Sequence, residues 1–586
     1  MILQLDPLAD PRWGDIGDDA ASPKRRSLLA IAGSLLVEIS LPKLLFAVTT
    51  LLLLPAVLLG IAPVIATAWV ASMSSRLLRL AEFGAALTGF VLMAVGCIAW
   101  RPLLRTAEAS FWSLNALAVQ PGYALFREAI RHLAEGMLSH ASASVSRSRI
   151  RAASSAGAGI LMCGCAVLIF SLVWPASRWI GTVTDLASPH RLIVPILANA
   201  TAVVSVYMAL AALIWGFADA SMDQPEELTT FETAPSNDLR WRIAHLSDIH
   251  VVGERYGFRI ESGRSGPRGN ARLEQSMTLL ETIHDAQPLD LVLICGDLTD
   301  AGRATEWAEF LDAVARHPAL GARMIMIPGN HDLNIVDADN PARLDLPFSI
   351  GKRLRQMRTL VAMAALQGDR VRVVDPFCGQ PVYTLNESLA PHRNRIRAFM
   401  EDGGLRRAVQ LRGLFEAQFP MILPPETPEG LAIALLNSNA VTHFSFTNAL
   451  GWISLEQSHR LATAARAYPK ARWIIALHHH LVEYPMAVSV FSERVGTALV
   501  NGSWFVRKLA PFAARAVVIH GHRHVDWTGV CGALKIVSAP SPVMGTPDDA
   551  AAHFHIHTLA AAPNGRLFLL APERVDVVGA EGHTVH

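Results

Sequence analysis

The chain has 586 residues, 51% of them hydrophobic and 17% charged, with a formal net charge of +1. The apolar share is high for a wholly soluble protein, and the balanced charge excludes a global field of the kind that gathers nucleic acid. Six cysteines without a CxxC pair exclude a disulfide framework and fit a reducing compartment for the polar part.

Residues 1–43 read as a cytoplasmic N-terminal segment. Its apolar part, Leu28 to Val37, is too short to span a bilayer and is followed by Glu38. Lys24, Arg25 and Arg26 before it raise a signal peptide, but no clear small-residue cleavage site follows. Four longer apolar stretches come next: Leu44 to Met73, Phe83 to Trp100, Gly157 to Trp174 and Leu192 to Phe217. Each suits a hydrocarbon core, which takes about 20 helical residues to cross. The first carries Pro55 and Pro63 and reads as one tilted, kinked span, with a re-entrant hairpin as the alternative. Arginines crowd the loop at 101–156 and basic residues precede the first span, whereas the alternate loops carry few. That asymmetry places both the N-terminus and the chain beyond the spans in the cytoplasm. The spans hold no ionisable residue, which favours an anchor or small bundle over a transporter. Within the basic loop, "GYALFREAIRHLAEGML" has the pattern of an amphipathic helix at the membrane surface.

Residues 218–240 are polar and acidic and read as a linker. From residue 241 the pattern changes. "RIAHLSD", "DLVLICGD" and "RMIMIPGN" read as strands, with "ARLEQSMTLLETIHDA" and "ATEWAEFLDAVARH" as helices between them. This alternation predicts an α/β domain over 241–586.

Each strand of that domain ends in metal-binding chemistry. The ends supply Asp248 and His250, then Asp297, then Asn330, His331 and Asp332, then His478, His479 and His480, and finally His522 and His524. Ligands of α/β sheets gather beyond the carboxyl ends of strands. Carboxylates, imidazoles and an amide converging there suit a pair of divalent transition metals.

The ordered blocks "DxH", "GDxxD", "GNHD", "HHH" and "GHxH", each behind an apolar strand, resemble the calcineurin-like metallophosphoesterases over roughly Arg242 to Leu570. The resemblance implies a β-sandwich flanked by helices, in four α/β/β/α layers. It implies that Asp248, His250 and His524 hold one metal, that Asn330, His478 and His522 hold the other, and that Asp297 bridges them. Mn, Fe, Zn or Co would serve. His331 would face the substrate and aid the leaving group, with Asp332 behind it as an orienting partner or, alternatively, as a helix or turn cap. A hydroxide generated by the metal charge would attack phosphorus in line. His478 is taken over His479 by position in the pattern, although the proline that often follows this histidine is delayed here to Pro485. His520, His245 and the alternating "HFHIH" read as packing or strand residues.

Within the family, the "GNHD" block looks most like the class III cyclic-nucleotide phosphodiesterases. The related pyrophosphatases of lipid A synthesis typically have Arg where His331 stands. An Arg-rich insertion at 337–430 reads as a cap that sets substrate choice or as a solvated helical face. The expectation is a multi-pass protein of a bacterial inner membrane, with a cytoplasmic phosphoesterase acting on phosphodiesters. Alternatives are a lipid-linked substrate at the membrane surface and a non-catalytic sensor or scaffold. Its partners would be a phosphate-ester substrate and the bilayer, with no nucleic acid polymer and no signal for an oligomeric state.

Overall fold

The computed structural model describes residues 45–46, 48–49, 53–77, 94, 120–137, 144–186, 188–234, 239–253, 270–336, 343–345, 349–375, 379–443, 445–485, 497, 499–544, 551–562 and 565–577. The expected N-terminal segment 1–43 lies outside them, as do the second apolar stretch apart from residue 94 and the first part of the basic loop. The chain divides into two compact units, with the boundary at Met222 and Asp223.

In the first unit, three helices among the described residues are long and apolar enough to cross a membrane: Leu54–Met73, Arg149–Ala176 and His190–Ala220. The first apolar stretch is helical straight through Pro63 from Leu54 to Leu77. Small residues let two of these helices touch. A Cβ on Gly159 would come within 2.7 Å of the Ala212 carbonyl oxygen and 3.0 Å of the Gly216 Cα. The helix Gln120–Met137 forms where the amphipathic pattern lies. It buries charge as well as apolar surface: Arg127 Nη1 reaches Asp219 Oδ2 at 2.8 Å, and Arg131 Nη1 reaches Glu128 Oε1 at 3.0 Å.

The second unit is an α/β domain with mixed sheets. Its strands are β1 (Pro225–Glu227), β2 (Arg240–Leu246), β3 (Leu291–Ile294), β4 (Met324–Met326), β5 (Arg372–Val374), β6 (Pro381–Thr384), β7 (Met421–Leu423) and β8 (Leu431–Leu435). They continue with β9 (Arg472–Ala476), β10 (Ala516–His520), β11 (Trp527–Cys531), β12 (Leu534–Ser538), β13 (Ala552–Ala561), β14 (Leu567–Leu569) and β15 (Glu573–Val577). One sheet runs β1-β11-β12-β10-β9-β8-β7-β5-β6; the other runs β14-β13-β2-β3-β4, with β15 also on β13. β2, β3 and β4 are mutually parallel, as are β8, β9, β10 and β12. β3, β4, β9 and β10 are buried at every residue, which is why they read as continuous apolar runs rather than alternating ones.

Two segments behave differently from their sequence reading. The segment read as a linker enters the fold early, because β1 pairs with β11 from Pro225 onward. The Arg-rich insertion contributes β5, β6 and β7 to the edge of the larger sheet, and its helix Ile350–Gln367 lies in the core. Arginines of that helix face inward: Arg355 pairs with Asp345 and donates to the Leu333 carbonyl, and Arg358 donates to the Gly302 carbonyl at 3.2 Å. They brace loops that flank the candidate residues. Arg393, Arg395, Arg397 and Arg406 farther along are exposed, as a solvated face requires.

Candidate metal centre

The candidate side chains stand on turns that leave the carboxyl ends of β2, β3, β4, β9 and β10. Backbone bonds lock these turns together. The amide of Asp248 donates to the Gly296 carbonyl at 3.0 Å, that of His250 to Asp297 at 2.9 Å, and that of Gly521 to His478 at 3.0 Å. Glycine makes the approach possible. A Cβ on Gly329 would fall 2.1 Å from both the backbone nitrogen and Oδ1 of Asp297, and one on Gly521 would fall 1.8 Å from Ser247 Oγ. The glycines of "GN" and "GH" are therefore spacing devices beside the residues that follow them.

The backbone itself is strained here. Five non-glycine residues among those described have positive φ: Asp248 (57°), His250 (48°), Asp297 (50°), His522 (78°) and His524 (53°). All five are candidate ligands. Left-handed backbone costs an ordinary residue about 1–3 kcal/mol and persists where the surroundings dictate it, often at functional sites. Asp and His tolerate it better than most.

Two groups of donors result. In one, Asp248 Oδ1 lies 3.2 Å from His524 Nε2, and His524 Nε2 lies 3.4 Å from His250 Nε2. In the other, His478 Nε2 lies 3.1 Å from Asn330 Oδ1, 3.1 Å from His522 Nδ1 and 3.4 Å from Asp297 Oδ2. Asp297 Oδ2 is also 3.7 Å from His250 Nε2, so its carboxylate sits between the groups. The tautomer of His478 follows from its far side. Nδ1 is 2.7 Å from the Cys295 carbonyl, which can only accept, so Nδ1 carries a proton and Nε2 of the neutral ring presents a lone pair. That lone pair meets an amide oxygen and a carboxylate, and none of the three is a donor. The donor set, carboxylates, imidazoles and an amide oxygen within ligand reach of one another, fits divalent cations.

Electrostatics agree with that fit. Burial opposes charge on Asp297, yet His478 and His331 hold its carboxyl well below the usual carboxylate range. Burial would lower His478, but Asp297 outweighs it and lifts the imidazole to about 9, so that without a cation a second ring proton sits at Nε2, in the place a cation would take. Burial pushes His522 well below its ordinary value, with His479 and His478 adding to the shift, so its ring stays neutral as a ligand must.

The structure brings together Asp248, His250, Asp297, Asn330, His331, His478, His522 and His524. His479 turns away: its Nδ1 lies 2.9 Å from Ser438 Oγ, and its ring packs on Gly451. One expectation is corrected. Asp332 does not orient His331. Its carboxylate accepts from the amides of Gly329 (2.8 Å) and Thr299 (2.9 Å) and from Thr299 Oγ1 (2.6 Å), closing the first turn of the helix Asn330–Leu333. The partner of His331 Nδ1 is the Asp300 carbonyl at 2.7 Å. Burial, reinforced by Asp297, pushes the Asp332 carboxyl up to about 6. Sequence reasoning missed the carbonyls of Cys295 and Asp300, because a backbone oxygen leaves no mark on residue type. Ser438, which accepts from the amides of both His478 and His479 at 3.1 Å, lies in the "NSNA" stretch after β8, so its position was visible though its contact was not.

The family model described as calcineurin-like phosphoesterase matches residues 242–526. No curated protein matches the chain. Among solved structures, a dimetal phosphatase from Danio rerio is 13% identical, covering 58% of this chain and 99% of its own, with a TM-score of 0.31. A Haemophilus influenzae NAD nucleotidase is 11% identical over 58% of this chain and 56% of its own, with a TM-score of 0.28. A purple acid phosphatase from Lupinus luteus seeds is 14% identical over 59% and 52%, with a TM-score of 0.27. The chain spans about half the length of the last two.

Proposed function

Residues 242–526 form a calcineurin-like phosphoesterase domain, and from that premise we propose that the protein is a membrane-anchored phosphoesterase with two metals that hydrolyses phosphodiesters. The carrying observation is the convergence of lone pairs on one point: His478 Nε2 against Asn330 Oδ1, His522 Nδ1 and Asp297 Oδ2. In this reading Asp248, His250 and His524 would hold one cation, Asn330, His478 and His522 would hold the other, and Asp297 would be shared between them. The cations would supply charge to the phosphate oxygens and acidify a water. The chain's own residues do the rest. Cys295 and Asp300 fix two imidazoles through their carbonyls. His331, with its proton held at Nδ1, has Nε2 left to exchange a proton with the leaving oxygen.

The diester assignment rests on His331 in "GNHD". Anchoring, with four spans and the domain in the cytoplasm, rests on the three apolar helices and on the basic loop charges. The same helices favour a second reading, a lipid-linked substrate at the membrane surface.

The test uses the full chain in detergent, stripped by a chelator and reloaded with Mn²⁺. It is offered an aryl phosphodiester, the matching monoester and phospholipid vesicles. Asp297→Asn is the control, because asparagine tolerates the left-handed backbone and removes the charge. Metal-dependent diester cleavage that falls to background in the control is expected. Preference for the monoester would sink the diester assignment, and cleavage of the vesicles alone would favour the lipid reading. Cleavage of none of the three would sink the enzyme.

A further inference from the structure

We propose that Asp526, His553 and His555 form a third divalent-metal site, outside the candidate pair, that clasps the two sheets of the domain together. The alternation of "HFHIH" puts His553 and His555 on one face of β13, with ring centroids 5.3 Å apart. Asp526 precedes β11 in the other sheet. Its carboxylate forks across the two rings: Oδ2 is 2.9 Å from His553 Nε2, and Oδ1 is 3.0 Å from His555 Nε2. The three ligand atoms lie within 4.8 Å of one another.

The far side of His553 decides the chemistry. Its Nδ1 is 3.1 Å from the Ala551 carbonyl, which only accepts. A neutral imidazole has one ring proton, and that contact takes it, so Nε2 turns a lone pair toward a carboxylate oxygen. The contact is favourable only with positive charge between them, either a second ring proton or a bound cation. His555 Nδ1 is buried without a partner, so Nε2 makes that ring's polar contact. Bond lengths of about 2.0–2.2 Å to a four-coordinate zinc set neighbouring ligand atoms roughly 3.3–3.6 Å apart. The two carboxylate–imidazole contacts, at 2.9 and 3.0 Å, therefore need to open by only a few tenths of an ångström.

The surroundings suit an ion. The Asp526 side chain is 40% exposed while those of His553 and His555 are 4% and 10% exposed, which leaves one open side for entry and for water. Two imidazoles and one carboxylate with open positions are a common set for zinc, iron, cobalt or manganese. Position gives the site its consequence. Asp526 lies two residues after His524 in the turn from β10 to β11, and β13 pairs along β2, whose end carries Asp248. An ion here would pin the His522–His524 turn to the sheet that supplies Asp248 and Asp297.

Cobalt is the probe, added to the full chain in detergent after chelation. Metal per chain is counted by elemental analysis, and four-coordinate cobalt is read by its visible absorption. The comparison is made in an Asp297→Asn background, so that loss of the candidate pair and loss of the clasp are counted separately. Asp297→Asn is expected to retain one cobalt per chain that Asp297→Asn with Asp526→Asn lacks, with the same far-ultraviolet circular dichroism. His553→Gln in the same background decides the matter if the Asp526 variant is misfolded. Equal cobalt content with and without the Asp526 or His553 substitution would overturn the site and leave the second ring proton as the explanation of the contact.

Discussion

His331 is held by a backbone carbonyl, and this shapes what its removal does. His331→Ala leaves Asp297, Asn330 and the turns around them in place, because the tie to Asp297 Oδ1 comes from the amide of residue 331 and not from its ring. The expected result is a fall in kcat of about 10²–10⁴-fold with metal content unchanged, measured by kinetics and metal analysis on one preparation. Asp332→Asn is a different experiment. Its carboxylate takes two amides and a hydroxyl within 2.9 Å, and an asparagine turns one acceptor into a donor facing donors. Loss of about 1–3 kcal/mol of stability is expected, seen as a lower thermal midpoint, with metal affinity falling alongside. The sequence showed the residue types at both positions and suggested the wrong partnership, since "HD" adjacent in a chain says nothing of which way each side chain turns. The cap alternative was legible in the third-residue spacing from Gly329. Lys352 carries a pH prediction. Burial, partly offset by Asp345, lowers its amine to about 8 from an ordinary 10.5. A depressed pKa contributes stability above 10.5 that is lost as pH falls through 8, so at neutral pH the buried charge is a burden. Lys352→Met is therefore expected to raise the thermal midpoint most near pH 7, with the difference shrinking toward pH 10.

At the scale of elements, the turns after β3, β4 and β10 are mutually dependent, because each glycine faces a residue of a different turn. Gly329→Ala would drive a methyl into the backbone of Asp297. Both turns must shift, and Mn²⁺ affinity is expected to fall by more than tenfold, read by titration against a chelator of known strength. An alanine at Gly404, where the open space around the position admits a Cβ but φ is 102°, should cost only local helix stability. Strand ends were legible because apolar runs stop abruptly at polar clusters. The insertion was less so. Its arginines read as either a phosphate-facing cap or a solvated face, whereas Arg355 and Arg358 are consumed by internal carbonyls and by Asp345. Arginine at helical spacing marks a polar stripe, and only tertiary packing decides whether that stripe faces water or loop carbonyls.

For the whole molecule, the division at Asp223 predicts that the second unit is an autonomous folding unit. Residues 223–586 expressed alone are expected to melt cooperatively and to retain metal-dependent diester cleavage, whereas a piece that begins at 241 loses β1 and its pairing with β11. Calorimetry of the two pieces checks this, and the shorter one is expected to melt lower. The apolar stretches and the α/β alternation gave this two-part plan from composition alone. What composition withheld was the place where the polar unit begins, since "QPEEL" is as acidic as any linker and pairs in a sheet only because β11 offers an open edge.

Contact across the candidate centre has a cost in time. His250 and His524, whose ring nitrogens lie 3.4 Å apart, are separated by 274 residues of chain. At a synthesis rate of about 5–20 residues per second, roughly 15–55 s pass between their appearances. During that interval Asp248, His250 and Asp297 are present without the histidines that complete either group. In the proposed reading, the two groups of ligands would not both be complete until the chain has been made as far as His524.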